Sequence, residues 1–209
     1  MNRLKKILYL GLVGLLCLSM IGCSNEYAFE VGDVKFSNQD VEKVESILTV
    51  TANYSNEDYL ADFKKSQENK KIKSEVISYM IDNEVVYQKA QSQNIKVSDE
   101  EVNEKYTQIK NTLALNSDYN KLLKDANIDE KYLKEIIKKD LVIEKYREEF
   151  EEDIIIKDKE IEAYYNKNKE EFKDESLEGC RGEIVNRLLA EKYLQHIQTL
   201  RDNIEIKRY

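Results

Sequence analysis

The stretch IKSEVISYMIDNEVVYQKAQSQNIKVSDEEVNEKY, Ile72 to Tyr106, decides how the chain folds. Ile77, Met80, Ile81, Glu84 and Val85 fall at the three-and-four spacing of one helix face, with Glu84 the polar exception in the stripe. Gln93-Asn94 reads as a stop, because asparagine tolerates the left-handed backbone that ends many helices. Ser98 followed by Glu101 is a capping box, in which each side chain satisfies an orphan amide of the next helix. Two helices meeting at a sharp corner are therefore expected here.

Composition extends that reading to the whole chain. Of 209 residues, 41% are hydrophobic and 35% charged, with no proline and six glycines. Such sparse punctuation suits long capped helices better than a β-sandwich or a disordered polymer. The fold class expected is mainly α, in a single body over residues 28–209. Residues 23–209 hold 30 basic against 41 acidic residues, a net charge of -11. That surface repels phosphate backbones and excludes nucleic acid as a natural partner. Runs such as Glu148-Glu149 and Glu151-Glu152-Asp153 fit either a solvated helix face paired with interleaved lysines or a surface for cations and basic clients.

The first 22 residues read as a secretory leader. MNRLKK is a positive n-region, and the apolar run Ile7–Gly22 is 16 residues long, short of the ~20 a spanning helix needs. Ser19-Met20-Ile21-Gly22-Cys23 resembles the lipobox of bacterial lipoproteins, although Met20 and Ile21 depart from its commonest form. The resemblance implies lipidation of Cys23, with residues 23–27 as a tether; an uncleaved signal anchor is the alternative. Either way the body is expected outside the cytoplasmic membrane. Cys17 leaves with the leader, so Cys180 has no disulfide partner once Cys23 is acylated.

Along the body, Phe29 and Val31 before Gly32-Asp33, and Val34 and Phe36 after, predict a hairpin. Ser37 and Asp40 open a helix with Val41, Val44, Ile47 and Leu48 inward, which is expected to fray at Thr49–Tyr54. A helix through Tyr59, Leu60 and Phe63 and a polar, hinge-like stretch at 64–71 complete the first segment, 28–71. In the helical core, 72–172, Ser117 opens a short helix stopped at Asn127. Asp129 caps a long one, and Asp158 caps another that ends at Phe172. A returning helix is expected over Cys180–Asp202, and the alternating Asn203–Tyr209 reads as a strand. Alternation at both ends of a helical chain suggests that 28–36 and 203–209 pair in one small antiparallel sheet.

No residue in this pattern reads as catalytic, and no metal or cofactor is implied. His196 is the lone histidine, and no Cys-x-x-Cys, His-Glu-x-x-His or Gly-rich phosphate loop exists. Cys180 and His196 lie sixteen residues apart, roughly 24 Å on a continuous helix, beyond the reach of a nucleophile–base pair. Thirteen of the fourteen tyrosines follow the leader. They supply apolar area with a polar tip, suited either to helix packing or to contact with varied polypeptides.

The motifs together resemble the SurA/PrsA-like extracytoplasmic foldases. Asn94-Ile-Lys-Val-Ser-Asp-Glu-Glu-Val102 is similar to the family's junction between its helices, with Asn94 in place of the usual glycine. Asn127–Leu133 resembles the next junction. Ile156–Phe172 is the most specific match, resembling the segment that leads in these foldases into a parvulin-type prolyl isomerase domain. Here only seven residues, Lys173–Gly179, precede the expected last helix, too few for a domain of roughly 50 residues or more. The resemblance therefore implies a membrane-tethered chaperone body that holds unfolded or newly secreted polypeptides without isomerase activity. Client contact is expected at Tyr79, Met80, Tyr87, Tyr132 and Tyr164. A foldase with residual isomerase activity, or a surface lipoprotein adaptor for one dedicated partner, are the rival readings. Oligomeric state is not legible in the sequence.

Overall fold

The computed structural model describes residues 27–55, 70–113, 117–172 and 175–209. The leader, Cys23 and the helix expected through Tyr59, Leu60 and Phe63 lie outside the described residues. Strands β1 (Tyr27–Val31) and β2 (Val34–Ser37) form the expected hairpin, and β3 (Ile206–Arg208) joins β1 from the other chain end. The order β2-β1-β3 makes β1 the central strand, with Phe29 opposite Arg208 and Val31 opposite Ile206. Being central, β1 is paired along both edges, and Ala28 through Val31 are buried. Tyr27 belongs to this strand, so the body starts one residue earlier than the sequence suggests. Gly32 takes the left-handed conformation in the turn (φ +57°), and its N–H donates to the Glu205 carbonyl at 2.8 Å. Buried Glu30 is satisfied by the Tyr209 hydroxyl and by Lys35 at 2.9 Å.

Seven helices follow among the described residues: α1 (Asn38–Ser55), α2 (Lys70–Ser92), α3 (Asp99–Leu113), α4 (Ser117–Asp125), α5 (Glu130–Glu152), α6 (Asp158–Lys167) and α7 (Leu177–Asp202). Their ends are chemically explicit. Ser37 and Asp40 form a reciprocal capping box, with Ser37 N–H donating to Asp40 Oδ2 at 2.8 Å and Asp40 N–H to Ser37 Oγ at 3.1 Å. Ser98 and Glu101 do the same, at 2.7 and 3.2 Å. Asn94 has φ 62°, and the Ile95 and Asn94 amides donate to the carbonyls of Ala90 (3.1 Å) and Gln91 (3.0 Å). That is a Schellman stop, sealed by the burial of Ile95 against Ala90's turn. Asn127 (φ 52°) repeats it, with Ile128 donating to Leu123 at 2.8 Å.

Several helix boundaries differ from the sequence reading, among them the end of α6, which is Lys167 rather than Phe172. Helix α1 continues to Ser55 through the stretch expected to fray; a propensity cost of a few tenths of a kcal/mol per residue is small once a helix is nucleated and packed. The cap of α6 is Lys157, and Asp158 is the first helical residue. A lysine side chain has no acceptor, so this end rests on Glu160 reaching back to the Lys157 N–H at 2.9 Å, while Asp158 pairs with Arg181 of α7. Finally, α7 begins at Leu177, three residues before the expected start, because Ser176 Oγ accepts the Gly179 N–H at 3.2 Å. Gly179 thereby joins Gly182 within the helix.

Helix α2 lies at the centre, touching α1, α5, α7 and β1. Its buried face carries Val76, Met80, Ile81, Val85, Val86 and Ala90, and joins Phe29, Val31, Val41 and Val142 in one core. A second, smaller cluster of Ile161, Phe172, Cys180 and Ile184 fastens α6 to the first half of α7. Helix α7 spans both, since Tyr193 lies in the main core. A methyl group built at Gly182 meets nothing within 4 Å. Gly182→Ala is therefore expected to stabilise the protein by about 0.5–1 kcal/mol, read as a rise in the urea midpoint at unchanged slope.

Candidate functional site

Where β2, α1, α2 and α5 converge, the described surface has an apolar concavity. Its floor is formed by Val44, Leu48, Met80, Ile136 and Ile143, with Phe36 closing one end. Tyr79, Asn83, Glu84, Lys139 and Asp140 make the polar rim. The free volume is about 100 Å³. An apolar cavity of ~150 Å³ accepts a benzene ring, so this one admits a single apolar side chain and no folded element.

The rim is ordered by one buried charge. Glu84 is 5% exposed, and its carboxylate receives the Lys139 ammonium at 2.9 Å and the Gln88 side-chain amide at 3.0 Å. Gln88 also donates to the Val31 carbonyl at 3.1 Å, which ties α2 to the sheet. Lys139 lies over the rings of Tyr87 (5.0 Å) and Phe36 (5.6 Å), so its charge is held by a carboxylate and two aromatic faces. The neighbouring Asp140 makes no hydrogen bond or salt bridge to a described residue. Desolvation at the groove wall pushes its carboxyl up to about 6, Glu144 adding to the push and Lys105 and Lys139 opposing it, although the residue as a whole is exposed. Tyr79, 43% exposed, lies across the groove; burial of its hydroxyl end and the nearby Asp140 raise the phenol, with Asn83 opposing.

The five residues expected to touch clients are not gathered on one surface. Tyr79 and Met80 line the groove, Met80 as buried floor and Tyr79 as exposed rim. Tyr87 is packed against the core beneath Lys139. Tyr132, at the start of α5, lies beneath Lys43 of α1 at 4.5 Å, its phenol pushed up to about 12 by burial and by the nearby Asp40. Tyr164 belongs to the second cluster, beside Phe172, away from the groove. Asp140 and Lys139 were not singled out by the sequence; a lysine and an aspartate in a charged helix carry no signal of the groove they border.

The other chemically active side chains do not form a site. His196 stacks on Phe150 with ring centres 4.6 Å apart, and its Nε2 lies 2.5 Å from the Tyr146 hydroxyl, joining α7 to α5. Burial, and secondarily Lys89, lowers its pKa. Cys180 is buried in the other cluster, its Sγ turned to the Ser176 carbonyl. Among the described residues no group of three or more His, Cys, Asp or Glu is placed to hold a metal ion, and no helix is long and apolar enough to cross a membrane.

The architecture defines a mainly α body closed by a three-stranded antiparallel sheet, with a shallow apolar groove and no assembled catalytic group among the described residues. Residues 1–147 match the model of the SurA-like N-terminal domain, and the chain belongs to that family. Among curated proteins it is similar to the protein named Foldase protein PrsA. The relative from Caldanaerobacter subterraneus subsp. tengcongensis is 28% identical over 81% of this chain and 54% of its own length. That of Clostridium botulinum strain Okra is 26% identical over 82% and 56%. The chain thus spans about half the length of the curated relatives it matches.

Two outcomes follow for the rim. Lys139→Met leaves Glu84 without its cation and should cost about 1–3 kcal/mol in urea unfolding, below the ~3–5 of a wholly buried pair because Lys139 is itself 39% exposed. Asp140 has the opposite sign: folding raises its carboxyl from the ordinary 3.8 to about 6, so its ionisation above that range opposes folding. Asp140→Asn should raise the melting temperature at pH 7.5, and the gain should vanish below about pH 4, where both states are protonated.

Proposed function

We propose that the chain is a holding chaperone anchored outside the cytoplasmic membrane by lipid on Cys23, binding unfolded or newly secreted polypeptides without isomerising them. The observation that carries the reading is the α1–α2–α5 groove, apolar in its floor and rimmed by exposed Tyr79. Family membership and the printed name of the relatives support it. Tyr79 and Met80 are the client contacts with the best geometric support. Tyr87, Tyr132 and Tyr164 act through packing in the first instance.

Magnitudes decide the mode of action. Burial of one apolar side chain contributes ~1.5–3 kcal/mol, less than the ~4 kcal/mol of even a millimolar complex. Each contact is therefore weak and short-lived, as suits a protein that must release its client. Tethering at Cys23 raises the local concentration at the export site and compensates for that weakness. The non-enzymatic part of the proposal rests on the junction after α6: Phe172 is buried in the second cluster and Leu177 already begins α7.

The test is light scattering of a reduced, unfolded secretory protein as it aggregates. A few-fold molar excess of the purified chain should suppress the signal, and Tyr79→Ala should weaken the effect several-fold. No suppression at excess would overturn the holding role, and recovery of one stoichiometric partner from membranes would favour an adaptor instead. For the anchor, Cys23→Ala should move the protein from the membrane fraction to the medium.

A further inference from the structure

We infer that the groove selects polypeptide segments in which an apolar side chain is followed closely by lysine or arginine. This rests on the holding role proposed above and names the clients that the same groove prefers. The floor accepts one apolar side chain and supplies no directional contact of its own. The rim is where selection arises. Of its two carboxylates, Glu84 is committed to Lys139 and Gln88. Asp140, one residue further along α5, has no hydrogen-bonding or ion-pairing partner among the described residues. Glu144 lies one turn beyond it and adds negative potential. Lys139 is withdrawn by Glu84 and by the rings of Phe36 and Tyr87, while Lys105 of α3 acts on Asp140 without pairing with it.

Asp140 borders the apolar floor and is open to solvent, so a cation arriving with the client can pair with it while its apolar neighbour enters the groove. Asp140 is exposed at the edge of the groove, so the charge-assisted hydrogen bond it offers has the strength of a surface ion pair and biases binding by a few-fold. The long-range field acts in the same direction, since residues 23–209 carry a net charge of -11 and draw basic segments toward the surface. An acidic segment meets repulsion at both ranges.

The experiment is fluorescence anisotropy of the purified chain with labelled, unstructured peptides of one apolar composition. The residue two places after the central leucine is lysine, serine or glutamate. The lysine peptide should bind about two- to fivefold tighter than the serine peptide, and the glutamate peptide weakest. Asp140→Asn should abolish most of the lysine advantage. That variant relieves an unpaired charge, so misfolding does not account for its loss; Glu144→Gln, measured alongside, should reduce the advantage partially. Equal binding of all three peptides would overturn the charge preference while leaving the holding role intact. A lysine advantage unchanged in Asp140→Asn would place the selection elsewhere and overturn the assignment to this groove. Absence of binding by every peptide would contradict the holding role itself.

Discussion

A carboxylate sits within the apolar stripe of the central helix, and the surrounding elements are placed so that it is never alone. Removing a charge from water costs several kcal/mol, so Glu84 must find its partners inside the fold. It finds Lys139 on α5 and Gln88 one turn along α2, and Gln88 passes the connection to the Val31 carbonyl of the sheet. One residue thereby fixes α2 against both α5 and β1. The same placement draws the Lys139 ammonium over Phe36 and Tyr87 and brings the next residue, Asp140, to the mouth of the groove. The groove's chemistry is a consequence of satisfying the core.

Features governed by neighbours along the chain are legible in the amino-acid sequence. The capping boxes at Ser37–Asp40 and Ser98–Glu101, the left-handed stops at Asn94 and Asn127, and the Gly32-Asp33 turn each need only a few consecutive residues. Pairing of the two chain ends is legible too, because alternation at Phe29–Phe36 and Asn203–Tyr209 has no other partner in a helical chain. Features governed by distant partners are not. Glu84 stands out as a polar exception, but the lysine that explains it lies 55 residues away. The tyrosines show which helix face they occupy without showing what covers it, so Tyr79 reaches the groove and Tyr164 the second cluster. Gly179 precedes the expected start of the last helix, yet the Ser176 cap and burial of Cys180 and Ile184 outweigh its low propensity and carry α7 back to Leu177.

The small sheet gives the body its closure. With β1 central, the strand nearest the proposed Cys23 anchor is held by both the hairpin and the last strand. Helix α7 links the α6 cluster to the main core before delivering β3, so the described part of the matched segment and the returning C-terminal segment are packed together. The groove lies among β2, α1, α2 and α5. Those elements belong largely to the matched segment, while α7 and β3 brace α2 and β1 from behind.

The most direct test of the groove's role is methyl NMR of the purified chain, with isoleucine, leucine, valine and methionine methyls labelled, titrated with an unfolded secretory polypeptide. Shifts concentrated at Val44, Leu48, Met80, Ile136 and Ile143, in fast exchange and reversed on dilution, are the predicted result. Shifts confined to Ile161, Ile184 and Leu188 of the second cluster, or none at saturating client, would contradict it.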